Sequence, residues 1–207
     1  MVIKSNKRDF KVNKLKIGTR GSPLALAQAL EVKRKIIQHH KLDDQSVEIV
    51  SISTKGDRVL DRPLTEIGGK GLFTEEIEKK LFNHEIDIAV HSMKDMPTEF
   101  PSGLEINTFL KREDFRDSFV SLKYDSIDEL PVGAIIGSSS IRRKAQLLSF
   151  RSDLKVVEFR GNVQTRLKKL EDGIADATFL ACSGLIRLGM KELLNPISPE
   201  VMMPAIA

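Results

Sequence analysis

Residues 134–159 read AIIGSSSIRRKAQLLSFRSDLKVVEF, and this stretch decides the fold. Ala134-Ile135-Ile136 is short, apolar and β-branched, as a buried strand is. Gly137 and three serines interrupt it, and Ile141 to Phe150 then carries the spacing of a helix. Val156-Val157-Glu158-Phe159 is strand-like again. A helix near Val163 to Glu171, a strand at Ala177 to Ala181 and a helix near Leu185 to Leu194 continue the alternation. Strands separated by helices need crossover connections, and crossovers make parallel sheets.

Upstream the order is similar. Lys16-Ile17-Gly18 is a short strand candidate. Pro23 to His39 reads as a helix with an imperfect apolar stripe of Leu26, Leu30, Val32 and Ile36-Ile37. Ser22 suits its N-cap and Pro23 its first helical position. Val47 to Ser53 alternates as a strand, Thr74 to Phe82 is helical with Ile77 and Leu81 inward, and Ile86 to Val90 is a strand. The expected class is α/β, with mixed, mostly parallel sheets and flanking helices. A basic arm (1–15) precedes a first domain (16–112) and a second (113–200), with the charged run Lys111 to Asp117 as the crossover. Residues 201–207 are apolar and would be sticky if exposed, so the native protein is expected to continue.

The 207 residues are 41% apolar and 30% charged, a balance that supports packed cores rather than disorder. No apolar run approaches the ~18 residues that span a bilayer, and the polar start is no secretory signal. A net charge of +4, with no tryptophan and one tyrosine, argues against nucleic-acid binding. A single cysteine, Cys182, excludes an intrachain disulfide framework and a cysteine-rich zinc site, and fits a cytoplasmic setting. No second histidine lies at metal-site spacing from His91, so no metal is expected.

Four polar clusters sit where strands end and helices begin, the edge at which open α/β sheets bind ligands. Gly18-Thr19-Arg20-Gly21-Ser22-Pro23 puts a guanidinium and a hydroxyl at a helix N-terminus. Gly137-Ser138-Ser139-Ser140-Ile141-Arg142-Arg143 offers hydroxyls and two guanidiniums, a carboxylate or phosphate site, although adjacent helical residues diverge by ~100°. Arg160 and Arg166 bracket a third helix start. Ala89-Val90-His91-Ser92-Met93-Lys94-Asp95-Met96-Pro97 holds one acid among cations, where it can pair with a cation or move protons. Between these lies Gly68-Gly69-Lys70-Gly71-Leu72-Phe73, a glycine-rich mobile loop without P-loop spacing. Each cluster also has an ordinary reading: capped helices, surface arginines, a salt bridge at Asp95, a flexible turn. The residues alone point to a polyanionic small molecule between two lobes, and they leave enzyme and binding protein unseparated.

Arg20-Gly21-Ser22-Pro23-Leu24-Ala25, the Gly68 to Phe73 loop, Asp87 to Pro97, Ser139-Ser140-Ile141-Arg142-Arg143 and Arg160 to Arg166 resemble, in order and spacing, the porphobilinogen deaminase (hydroxymethylbilane synthase) family. The resemblance runs from about Lys16 to Ala207, and it implies that 201–207 begin a return of the chain into the first domain. It implies two lobes like type II periplasmic binding protein domains. It also implies a transferase that joins porphobilinogen units head to tail, with loss of ammonia, into the linear tetrapyrrole hydroxymethylbilane of haem biosynthesis. Asp95 would be the catalytic acid. Arg20, Arg142, Arg143, Arg160, Arg166 and Arg187 would grip carboxylates of substrate and cofactor. Ser22, Ser92, Lys94, Ser138, Ser139 and Ser140 would add contacts, and Lys70 and Phe73 would belong to the mobile active-site loop. The implied cofactor is a covalent dipyrromethane whose anchoring cysteine lies in a third domain that this sequence does not reach. Cys182, on a strand, does not match that anchor and reads as a buried, inert thiol. The implied partners are porphobilinogen and the growing pyrrole chain, on a monomer with no nucleic acid and no membrane. Without the third domain, weak or no turnover is expected, and a non-catalytic binding module for an anionic small molecule is the alternative.

Overall fold

A computed structural model describes residues 2–5, 14–58 and 71–205 of the chain. Residues up to Lys111 form one compact unit and those from Arg112 a second.

In the first unit the elements are β1 (Val2–Ser5), β2 (Leu15–Arg20), α1 (Pro23–His40), β3 (Val47–Ile52), α2 (Lys55–Arg58), α3 (Glu75–Phe82), β4 (Ile88–Val90) and β5 (Leu104–Thr108). The strands form one sheet in the order β3-β2-β4-β1-β5. β2 runs parallel to both β3 and β4, whereas β1 is antiparallel to β4 and β5. Side chains alternate across a strand, and β4 shows the consequence. Ile88 and Val90 pack with Ile17, Ala29, Val32 and Val47 under α1, while Ala89 packs with Ile77 and Leu81 of α3 on the other face. Val2–Ser5, expected within a basic arm, is instead a strand inside this sheet.

The second unit holds β6 (Asp117–Ser121), β7 (Ile135–Gly137), α4 (Ile141–Phe150), β8 (Lys155–Val157), α5 (Val163–Glu171), β9 (Ala177–Ala181) and α6 (Cys182–Arg187). Its sheet order is β6-β9-β7-β8; β7 is parallel to β8 and β9, and β6 is antiparallel to β9. Phe119, Ile136, Ala177 and Phe179 face Leu147 of α4, and Val120 and Leu180 face Leu170 and Leu185 of α5 and α6. Each large side chain so buried contributes roughly 1.5–3 kcal/mol. Among the described strands four of seven pairings are parallel, the mixed and mostly parallel α/β architecture expected.

Some local expectations need correction. The last helix does not run from Leu185 to Leu194. It starts at Cys182 and ends at Arg187, and after Gly189 (φ +75°) a separate 3-10 turn covers Lys191–Leu193. Cys182 therefore opens a helix rather than ending a strand, although it is fully buried as expected, and burial, then Asp114, pushes its thiol pKa up. Asp117 is not crossover but the first residue of β6. Through Met203 the chain's last segment sits on the second unit: Met202 is buried in the α4-side core, and Met203 exchanges hydrogen bonds with Gln146. No helix among the described residues is long and apolar enough to cross a membrane.

Candidate functional site

In the first unit, three parallel strands end at one edge. Register sets Arg20 of β2 level with Ile52 of β3, and Gly18 level with Ala89 of β4. The chain leaving each strand therefore delivers polar groups to the same place: Arg20 from β2, Thr54 and Asp57 after β3, His91 to Asp95 after β4. Arg20 Nε donates to Asp57 Oδ1 at 3.1 Å and Nη2 also donates to Asp57, while Nη1 stands 3.7 Å from Asp95 Oδ2. The Phe73 ring stacks on the guanidinium, 4.0 Å from its carbon, a cation–π contact. Asp57 is itself held by the Thr54 hydroxyl at 2.7 Å. Burial pushes the Asp57 pKa up, but the bonds from Arg20 and Thr54 outweigh it and hold the carboxyl below its ordinary value.

The other expected residues of this unit lie around that centre. Ser22 caps α1, its hydroxyl accepting from Ala25 N at 3.3 Å. Ser92 donates to Gln28 Oε1 of α1 at 3.0 Å. Lys94 is exposed and Asp95 half-buried, both in the 3-10 turn Met93–Asp95. His91 is 5% exposed with an unpartnered Nε2; burial, then Arg20, lowers its pKa to about 4. Lys70, expected in the loop with Phe73, lies outside the described residues.

In the second unit, β7, β8 and β9 also end together. Ser138 Oγ accepts from Ser140 N, Ser139 Oγ from Phe159 N across to the segment after β8, and Ser140 Oγ from Arg143 N as the N-cap of α4. A hydroxyl that accepts keeps its proton to donate. The close approach of the two segments requires Gly137, because a Cβ there would meet the Phe159 ring at 2.3 Å. Arg142 and Arg143 do not diverge: both donate to Asp117, at 2.6 Å each. Arg143 also donates to Phe179 O at 2.8 Å, and its buried Nε has no partner. Arg166 Nε donates to Gly161 O at 2.9 Å, and burial, then the nearby Arg143 charge, lowers its pKa. Arg160 and Arg187 are half-buried, Arg187 in the last turn of α6.

Two acids at these centres, Asp57 and Asp117, escaped the sequence reading. Asp57 sits in a short segment without periodicity, and Asp117 in a run that its charge made look like a connector. The available signal was the apolar Phe119-Val120 pair after Asp117, which marks a strand. Among the described residues, no three His, Cys, Asp or Glu side chains gather as a metal would need.

Residues 15–207 match the sequence profile "Porphobilinogen deaminase, dipyromethane cofactor binding domain". A curated porphobilinogen deaminase of Paracoccus denitrificans (strain Pd 1222) is 63% identical over 196 residues, covering 94% of this chain and 63% of the relative's length. Among solved structures, the methionine-binding protein MetQ is similar at 16% identity and TM-score 0.43, over 95% of this chain and 78% of that one. So is the probable amino-acid ABC transporter extracellular-binding protein ytmK of Bacillus subtilis, at 12% identity and TM-score 0.43, over 91% and 78%. With the profile matched from the first residues of β2 through both arginine-bearing units, the chain belongs to the porphobilinogen deaminase family.

Proposed function

We propose that the protein joins porphobilinogen units head to tail, with loss of ammonia, to hydroxymethylbilane, as a cytoplasmic, monomeric transferase of haem biosynthesis. The observation that carries this reading is the pairing of Asp95 with Arg20 at the shared end of three parallel strands. Loss of ammonia from porphobilinogen leaves a cation on the pyrrole. A carboxylate already fixed in place stabilises such a charge without reorganising, the largest effect available to an active site. Asp95 takes that role. Arg20, gripped by Asp57, keeps it aimed, and Ser92 and Lys94 supply further polar contacts.

Porphobilinogen and its oligomers carry carboxylate arms. Arg142, Arg143, Arg160, Arg166 and Arg187, with the free hydroxyl protons of Ser138, Ser139 and Ser140, are suited to them, since guanidinium–carboxylate bonds are strong and directional. The same set of donors suits a dipyrromethane, which is also rich in carboxylates: the Ser138, Ser139 and Ser140 hydroxyls all accept backbone N–H bonds and keep a proton to donate at the strand ends. That group, when bound, supplies the primer to which pyrroles are added. Its anchor is not Cys182, whose sulfur is fully buried and whose pKa is raised.

The test is incubation of the gene's complete product with porphobilinogen, reading hydroxymethylbilane as uroporphyrin after cyclisation and oxidation. Product formation is expected. Folded protein that binds porphobilinogen without turnover would replace the enzyme by a binding module.

A further inference from the structure

Asp117 belongs to none of the clusters read from the sequence, yet two of the site arginines end on it. Its side chain is 4% exposed; Oδ2 accepts from Arg142 Nη2 and Oδ1 from Arg143 Nη2, both at 2.6 Å. Consecutive helical residues point ~100° apart, so the shared carboxylate is what brings these two guanidiniums together. β6 makes this possible. Because it runs antiparallel to β9, its first residue pairs with Ala181, at the edge where the site-bearing strands end.

The far side of each guanidinium is tied as well. Arg143 Nη1 donates to Phe179 O at 2.8 Å, and Arg142 Nη1 to Met203 O. The Arg143 Nε–H, by contrast, is buried without a partner and lies near the Arg166 charge. A buried donor left unpaired is costly, and beside a second guanidinium it is a place for a carboxylate. One aspartate against two arginines leaves the pair net positive, so Asp117 orients the arginines without cancelling them.

We propose that Asp117 is a positioning residue: it clamps Arg142 and Arg143 so that Arg143 Nε–H and Arg166 meet a substrate carboxylate in fixed geometry, without touching the substrate itself. This rests on the functional reading above. Replacing Asp117 by asparagine has two opposed effects. It adds net positive charge, which would draw an anionic substrate in. It also sets an amide N–H₂ against a guanidinium, donor against donor, and lets two like charges separate. The proposal requires the second effect to win.

The experiment compares the complete gene product with its Asp117→Asn, Asp117→Glu and Ser118→Ala variants, measuring kcat and KM for porphobilinogen and the urea unfolding midpoint. Ser118 is the neighbouring control; its buried hydroxyl bonds Leu193 O and Asn195 N and faces no site arginine. The expected result is a KM raised about tenfold in folded Asp117→Asn, with a smaller change in kcat. Asp117→Glu should fall between wild type and Asn, and Ser118→Ala should lower the midpoint with KM unchanged. An unchanged or lowered KM in folded Asp117→Asn overturns the proposal. Should that variant not fold, Asp117→Glu decides: it keeps the charge and moves the carboxylate by one methylene, and a wild-type KM there overturns the proposal. If wild type turns nothing over, the functional reading fails first, and calorimetric Kd values for porphobilinogen then test Asp117 on their own.

Discussion

Asp57 accepts from two guanidinium nitrogens of Arg20, Nε and Nη2, and leaves the third nitrogen of that arginine 3.7 Å from Asp95. The acid expected to do chemistry therefore shares its arginine with a second acid 37 residues from Arg20 in sequence. Removing Asp57 frees Arg20 to swing onto Asp95. Asp57→Asn is expected to lower stability by about 1–3 kcal/mol at neutral pH, and to lower kcat as the alignment of Asp95 is lost. The folded carboxyl titrates below its ordinary 3.8, so the folded state binds fewer protons, and its stabilisation is complete above that value and lost as pH falls through the folded pKa. Urea unfolding at pH 7 and pH 3 should show the gap between wild type and Asp57→Asn closing at the lower pH.

Asp95→Asn keeps the size and removes the charge. Because the Arg20 contact is long and the residue half-buried, stability should change by less than about 1 kcal/mol. Turnover of porphobilinogen should drop by about 10²–10³-fold. A near-normal rate would refute the electrostatic role.

His91 makes acid costly for the fold. Its pKa is held at about 4, against an ordinary 6.5, by burial and by Arg20. The unfolded chain takes up that proton first, so His91's contribution is complete above about pH 6.5 and is lost progressively as pH falls towards 4. In that window the stability slope should be shallower in His91→Gln by up to about 1.4 kcal/mol per pH unit. NMR titration of the ring gives the pKa directly, and an ordinary value would remove the prediction.

Gly56 lies under Phe73. A Cβ there would come within 2.2 Å of the ring, so the ring must leave its place over Arg20. Gly56→Ala should cost about 1–3 kcal/mol. Made in a Phe73→Ala background, the same change should cost much less, because the ring atoms it strikes are gone. Equal costs in both backgrounds would show that the strain lies elsewhere.

Local chemistry alone was enough for much of the fold. A capping Ser22 and Pro23 start α1, the apolar spacing from Ile141 marks α4, and the run from Ala177 marks β9; each is read from residues a few positions apart. Three strands escaped. β1 lies in a basic stretch, β5 is polar at Glu105, Asn107 and Thr108, and β6 opens with a charge. Their backbones are paired because the sheet supplies partners, not because their side chains alternate cleanly.

The arginines of the candidate site were legible because guanidiniums at strand-to-helix turns stand out in any α/β sequence. The acids that hold them were not. Asp57 reaches Arg20 across 37 positions, and Asp117 reaches Arg142 and Arg143 across 25 and 26. Those meetings depend on the parallel register of β2 with β3 and on β6 running backwards beside β9. An ion pair needs two side-chain ends within a few ångströms, and only the pairing of distant strands decides which ends those are.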